Sequence, residues 1–297
     1  MGASRRAQSI LHHRPISSAP SSARARAGFA TSVATIGATV SKLGIQFCWE
    51  LAFGVLLALA FVPRAPVGSL FYRIMGSTAL VLLASGVGLA LGAARPWSDP
   101  GVVGACVACA AFPLYSGPVR GRVWGVGLAA GMLGAAFATF SELRNWMPEA
   151  DAMTLGLAGL SALATGTVAG SVGLAMVLGH WYLTVPNLGI AHLERLNRVT
   201  IASMGTSLAL VALLCLLHRQ ELNSNRAPLF GAWGLFHLGT RVAVGLLMPL
   251  LFAWMAASSL RYQNTRSATG ILYASTVLVL IGTAVSLSLQ GSYGLPL

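Results

Sequence analysis

Arg241 stands inside an apolar run, in His237-Leu-Gly-Thr-Arg241. A charge at the centre of a membrane helix costs about 3 kcal/mol on insertion scales, so such a side chain faces protein or a wet cavity. It also calls for an anionic partner. Glu50, about six residues into the first apolar run, is the natural candidate, because both runs enter from the same face of the membrane at similar depth. His237, four residues before Arg241, shares its helical face. His218 ends the preceding run on that same membrane face. Two neutral imidazoles on neighbouring helices are what bis-histidine haem ligation requires, so His218 and His237 form the candidate metal pair.

A second group closes the fifth run on the opposite face. His180, Trp181 and Tyr182 are followed by Pro186 and Asn187. Indole and phenol rings favour the headgroup zone, and the same rings next to Asn187 suit the head of a quinone. His180 and His237 enter from opposite faces and do not share one metal. The following His192-Leu-Glu194-Arg195-Leu-Asn-Arg198 reads as a short amphipathic helix lying at the interface.

Positioning these residues falls to long apolar helices. The chain has 297 residues, of which 56% are hydrophobic and only 9% charged. A soluble domain carries roughly a quarter charged residues, so lipid must be the solvent for most of this one. The continuous runs lack the alternation of barrel strands. The fold expected is an all-α polytopic bundle of about eight spans, near 44–62, 72–92, 101–117, 122–141, 153–179, 199–217, 234–258 and 268–289. Pro63, Pro66, Pro96, Pro100, Pro118 and Pro148 fall between them. The third run is short and ends near Pro113, which predicts a tilted, broken or re-entrant segment, and Pro249 inside the seventh predicts a kink. Glycine pairs at Gly88/Gly92, Gly127/Gly131 and Gly166/Gly170 predict close helix contacts within the bundle. Ser161, Thr165, Thr167 and Ser171 coordinate an ion or satisfy backbone carbonyls, the second being usual.

Two domains are expected: a basic tail over 1–43 and a transmembrane domain over 44–297. The tail carries Arg5, Arg6, Arg14, Arg24, Arg26 and Lys42 and no acid. It reads as a disordered surface tail, an organellar transit peptide, or an upstream extension. Call face A the side on which the first span begins. Its loops hold Arg95, Arg144, Arg219 and Arg226. Face B holds twice as many: Arg64, Arg73, Arg120, Arg122, Arg195, Arg198, Arg261 and Arg266. The positive-inside rule then makes face B cytoplasmic, against the pull of the tail. The membrane expected is a bacterial inner membrane, or an organellar one if the tail is a transit peptide.

The net charge of +12 sits at helix ends and in the tail, which serves headgroup anchoring rather than nucleic acid. The partners expected are the lipid bilayer and other membrane or respiratory subunits. Four cysteines lie in apolar runs, and Cys106-x-x-Cys109 is read as two small packing residues. Phosphate-binding loops, HExxH and paired intramembrane carboxylates are missing from the sequence, and the lone lysine, Lys42, leaves no Schiff-base candidate. The leading expectation is a redox-associated membrane subunit binding quinone or haem b near face A. A small-molecule or ion transporter and a non-catalytic assembly or scaffold protein are the alternatives.

Overall fold

The computed structural model describes residues 21–297 except 63–66, 118, 120, 186, 187 and 225–227, with side chains described at residue 37 and from residue 39 onward. Arg5, Arg6, Arg14, Pro63, Arg64, Pro66, Pro118, Arg120, Pro186, Asn187 and Arg226 lie outside the described residues, and Arg24 and Arg26 are described only as helical backbone. The compact body is Thr39–Leu297, and residues up to Ala38 form a separate unit. All regular structure among the described residues is helical.

The helices are α1 (Ser21–Ala60), α2 (Ser69–Gly92), α3 (Pro100–Ala110), α4 (Phe112–Tyr115), α5 (Arg122–Trp146) and α6 (Ala152–Thr184). They continue with α7 (Ala191–Leu217), α8 (Arg219–Ser224), α9 (Ala232–Val242), a π-helical turn (Ala243–Leu247), α10 (Met248–Arg261) and α11 (Thr265–Tyr293). Seven segments are long and apolar enough to cross a membrane; α9, the π-turn and α10 count together as one of them. This supports a multi-pass membrane protein. The eighth expected span is the broken pair α3–α4. Its start lies beside the Arg95–Glu142 ion pair on face A, and its end packs Gly117 against Tyr72 at the face B start of α2. Asp99 opens α3 by accepting from the N–H groups of Gly101 (2.9 Å) and Val102 (3.2 Å), with Pro100 in the first turn. Pro113 then interrupts the run as its sequence predicts, because it has no N–H to continue the ladder.

The segment beginning at His192 departs from expectation. It is not a separate interfacial helix but the first turns of α7. No proline or glycine separates Arg198 from the apolar run, and Leu193, Leu196, Asn197 and Thr200 already bury one continuous face.

Helix α6 is the hub. Its membrane-length stretch is 78% buried, against 28% for Ala232–Arg261. A helix that is apolar all round belongs in the interior, and its small residues let neighbours approach to backbone contact. A methyl group at Gly166 would strike the carbonyl of Glu50, and one at Gly54 would strike the carbonyl of Gly166. Gly170 closes the same interlock against Gly54. Gly127 and Gly131 pack on Leu114 and on Tyr115 and Leu56, whereas Gly88 and Gly92 meet nothing within 4 Å. Leu133, Leu216, Trp254 and Val277 are exposed large apolar side chains, suited to contact with lipid.

At face A, Arg95 holds Glu142 through both guanidinium nitrogens, with Nη2 donating to Oε1 at 2.9 Å. Glu142 is fully buried, while Arg95 keeps partial contact with water and has its pKa raised by this bond. The two truncations are therefore unequal. Arg95→Ala strands a buried carboxylate, whereas Glu142→Ala frees an arginine that can reach solvent. Arg95→Ala should be the less stable by about 1–2 kcal/mol. Thermal unfolding of the two variants in one detergent checks the order.

Candidate functional site

The polar interior of the bundle is built around Arg241. It ends α9 and is fully buried. Its Nη2 donates to Thr165 Oγ1 on α6 (2.8 Å) and to Ser207 Oγ on α7 (3.2 Å). Nε and Nη1 are buried without a partner. Among the described residues, no carboxylate lies within 4.0 Å of the guanidinium; the ion pairs there are Arg95–Glu142 and His218–Glu221. The hydroxyls spend their lone pairs on Arg241 and, unlike Thr167 and Ser171, donate to no backbone carbonyl.

Glu50 is almost wholly buried on α1 and accepts from Gln46 Nε2, one turn towards face A. Its backbone packs on Gly166, next in sequence to the Thr165 that holds Arg241. Among the described residues it forms no ion pair with Arg241. The bundle therefore places a buried acid, whose backbone packs on Gly166, and a buried base, held by Thr165, at adjacent positions along α6.

Local backbone chemistry sets the depth of Arg241. The π-turn Ala243–Leu247 follows it directly and leads into Pro249. Proline cannot donate to the carbonyl four residues back, and one wider turn absorbs the offset. Gly245 lies within that turn, and a Cβ there would come within 2.6 Å of the Gly282 Cα on α11. The kink expected at Pro249 thus takes the form of a π-turn pressed against a neighbouring helix.

Polar groups continue in both directions. Towards face A, Gln46 Oε1 and both amide atoms of Gln290 are buried and unpartnered. Towards face B, Ser171 and Ser203 face each other at 3.5 Å. Thr200 Oγ1 and Asn197 Oδ1 follow, again buried and unpartnered, while Asn197 Nδ2 donates to the Ala253 carbonyl at 2.8 Å. Asn197, Thr200, Ser203 and Ser207 are three or four residues apart and so form one polar stripe on α7. Sequence reading singled out Thr165 and Ser171 but missed Ser207, Thr200, Asn197, Gln46 and Gln290. The signal was that spacing of polar residues within apolar runs.

The other sequence candidates occupy different places. His237 is partly exposed, between Trp233 and Phe236 on α9, with its Nδ1 2.8 Å from the Trp233 carbonyl. His218 lies at the face A mouth, 3.0 Å from Glu221. Both line or flank different surroundings from Arg241: His218 belongs to a mouth cavity of about 520 Å³ with Glu149, Asp151 and Tyr293. His180 is exposed at face B. Trp181 donates to the Val67 carbonyl at 3.0 Å and packs edge-on to Phe71, and Tyr182 donates to the Gly189 carbonyl. Among the described residues no three His, Cys, Asp or Glu side chains cluster as a metal site would need.

No protein family, curated protein or solved structure matches the chain.

A buried guanidinium with two idle nitrogens is poor structural glue, because an apolar residue of similar length avoids its desolvation. Arg241→Met should match or exceed the native thermal stability in detergent. A drop equivalent to more than about 3 kcal/mol would make Arg241 a structural clamp instead.

Proposed function

We propose that the protein is a membrane carrier for a small anionic solute, with Arg241 as the binding group. The observation that carries this reading is the fully buried guanidinium whose Nε and Nη1 have no protein partner, set within a file of polar side chains running towards both faces. Intramembrane charges of this kind mark solute pathways. The Thr165 and Ser207 hydroxyls fix the guanidinium and leave their own protons free to donate to the solute. The π-turn and Pro249 beside it form the sort of interrupted helix that carriers use at a midplane site.

The placement of the histidines favours transport over a haem b site. Within the redox reading, haem b ligation calls on His237 and His218 as a pair beside the Arg241 and Glu50 core. His237 instead sits between two rings on the partly exposed side of α9, and His218 is engaged by Glu221 at the mouth.

Reconstitution tests the reading. Proteoliposomes are placed in isosmotic salts of dihydrogen phosphate, nitrate or pyruvate. The counter-ion is ammonium, or potassium with valinomycin. Swelling above that of protein-free vesicles is expected for at least one anion in one mode, and Arg241→Met should reduce it by about tenfold or more. Equal swelling of native, variant and empty vesicles in every salt overturns transport.

A further inference from the structure

Resting on that transport reading, we infer that the anion crosses together with one proton, and that the Glu50 carboxylate carries it. The interior holds one cationic and one acidic side chain at the same depth, and they do not touch. With Glu50 ionised and the site empty, their charges sum to zero. A bound anion adds a negative charge to a low-dielectric volume, where uncompensated charge is strongly disfavoured. Taking one proton onto Glu50 restores neutrality.

Among the described residues the other buried carboxylate, Glu142, is already engaged by Arg95 at face A. On α1, Gln46 donates to Glu50. At this depth α6 brings Gly166 and Thr165, and α2 brings Gly86 against the indole of Trp49. From α9 comes Arg241, fully buried and held by the Thr165 that precedes Gly166. Gln46 and, on α11, Gln290 present buried unpartnered amide atoms on the face A side, where a proton or solute would pass.

The step balances simply. On the loading side a proton forms an O–H bond with the Glu50 carboxylate as the anion accepts from Arg241. On the far side that O–H bond breaks, and proton and anion leave together. No net charge crosses. Arg241 remains protonated throughout, as a guanidinium does.

The two salts used above separate this mechanism from simple anion conduction. Ammonium releases a proton outside, and the neutral ammonia crosses lipid and takes up a proton inside, so ammonium salts enter only where the anion travels with a proton. Potassium with valinomycin supplies charge and no proton. Native protein should swell about tenfold faster in the ammonium salt of the transported anion than in its potassium salt with valinomycin. Glu50→Gln should lose the ammonium mode while retaining or gaining the valinomycin mode.

Faster swelling in potassium with valinomycin overturns proton coupling but leaves transport standing. Unchanged ammonium swelling in Glu50→Gln overturns the role of Glu50. Failure in both modes with native protein removes the transport reading itself. Gln46→Leu provides a check that keeps Glu50 in place. Losing the donor to the carboxylate favours its protonated form, so half-maximal ammonium swelling should move to higher pH. No movement counts against Glu50.

Discussion

A guanidinium in the middle of a lipid-embedded bundle needs polar atoms close by, and only neighbouring helices can supply them. Water is excluded from the hydrocarbon zone, and each unsatisfied polar group there costs several kcal/mol. Arg241 meets this condition in part, with Thr165 and Ser207 on two helices reaching one nitrogen. Those helices must come nearer than bulky side chains permit. The close contacts at Gly54, Gly166 and Gly170 bring α1 to backbone distance of α6, and those at Gly245 and Gly282 do the same for the π-turn and α11. Small residues and the buried charge are thus two sides of one requirement.

The compensation is incomplete in an informative way. Elsewhere in the bundle hydroxyls turn back on their own helix, as Thr269 and Thr283 do. At face A the buried carboxylate of Glu142 receives a full two-nitrogen partner in Arg95. The fold can therefore neutralise a buried charge by direct contact where that is required. Around Arg241 and Glu50 it does not. Acid and base stay separated, with idle donors and acceptors between the helices. A site that must admit and release a charged solute has this character, because a closed ion pair would leave it nothing to bind.

Much of the architecture was legible in the chain. Continuous apolar runs, short loops with proline, and a charge content too low for a water-facing surface point to a helical bundle, and the long helices fall where those runs lie. The break at Pro113 and the disturbance at Pro249 follow from a missing N–H. The His192 segment was misread because an amphipathic start does not reveal whether the helix continues. Its continuation depended on Leu193 and Leu196 finding an interior to pack against. Arg241 and Glu50 stood out by cost alone, since a charge in an apolar run is conspicuous without coordinates.

What sequence could not specify was direction around each helix. His237 and Arg241 are one turn apart, yet Arg241 is fully buried and His237 lies on the partly exposed side with Trp233 and Phe236. The serines and threonines of α6 and α7 looked like routine helix residues until two of them met one guanidinium. The chain by itself determined that the protein lives in lipid as a helix bundle, because hydropathy and backbone satisfaction are local properties summed along the sequence. Only the tertiary structure decided which polar side chains share an interior, because that depends on how each helix is rotated and how closely glycine lets it approach its neighbours.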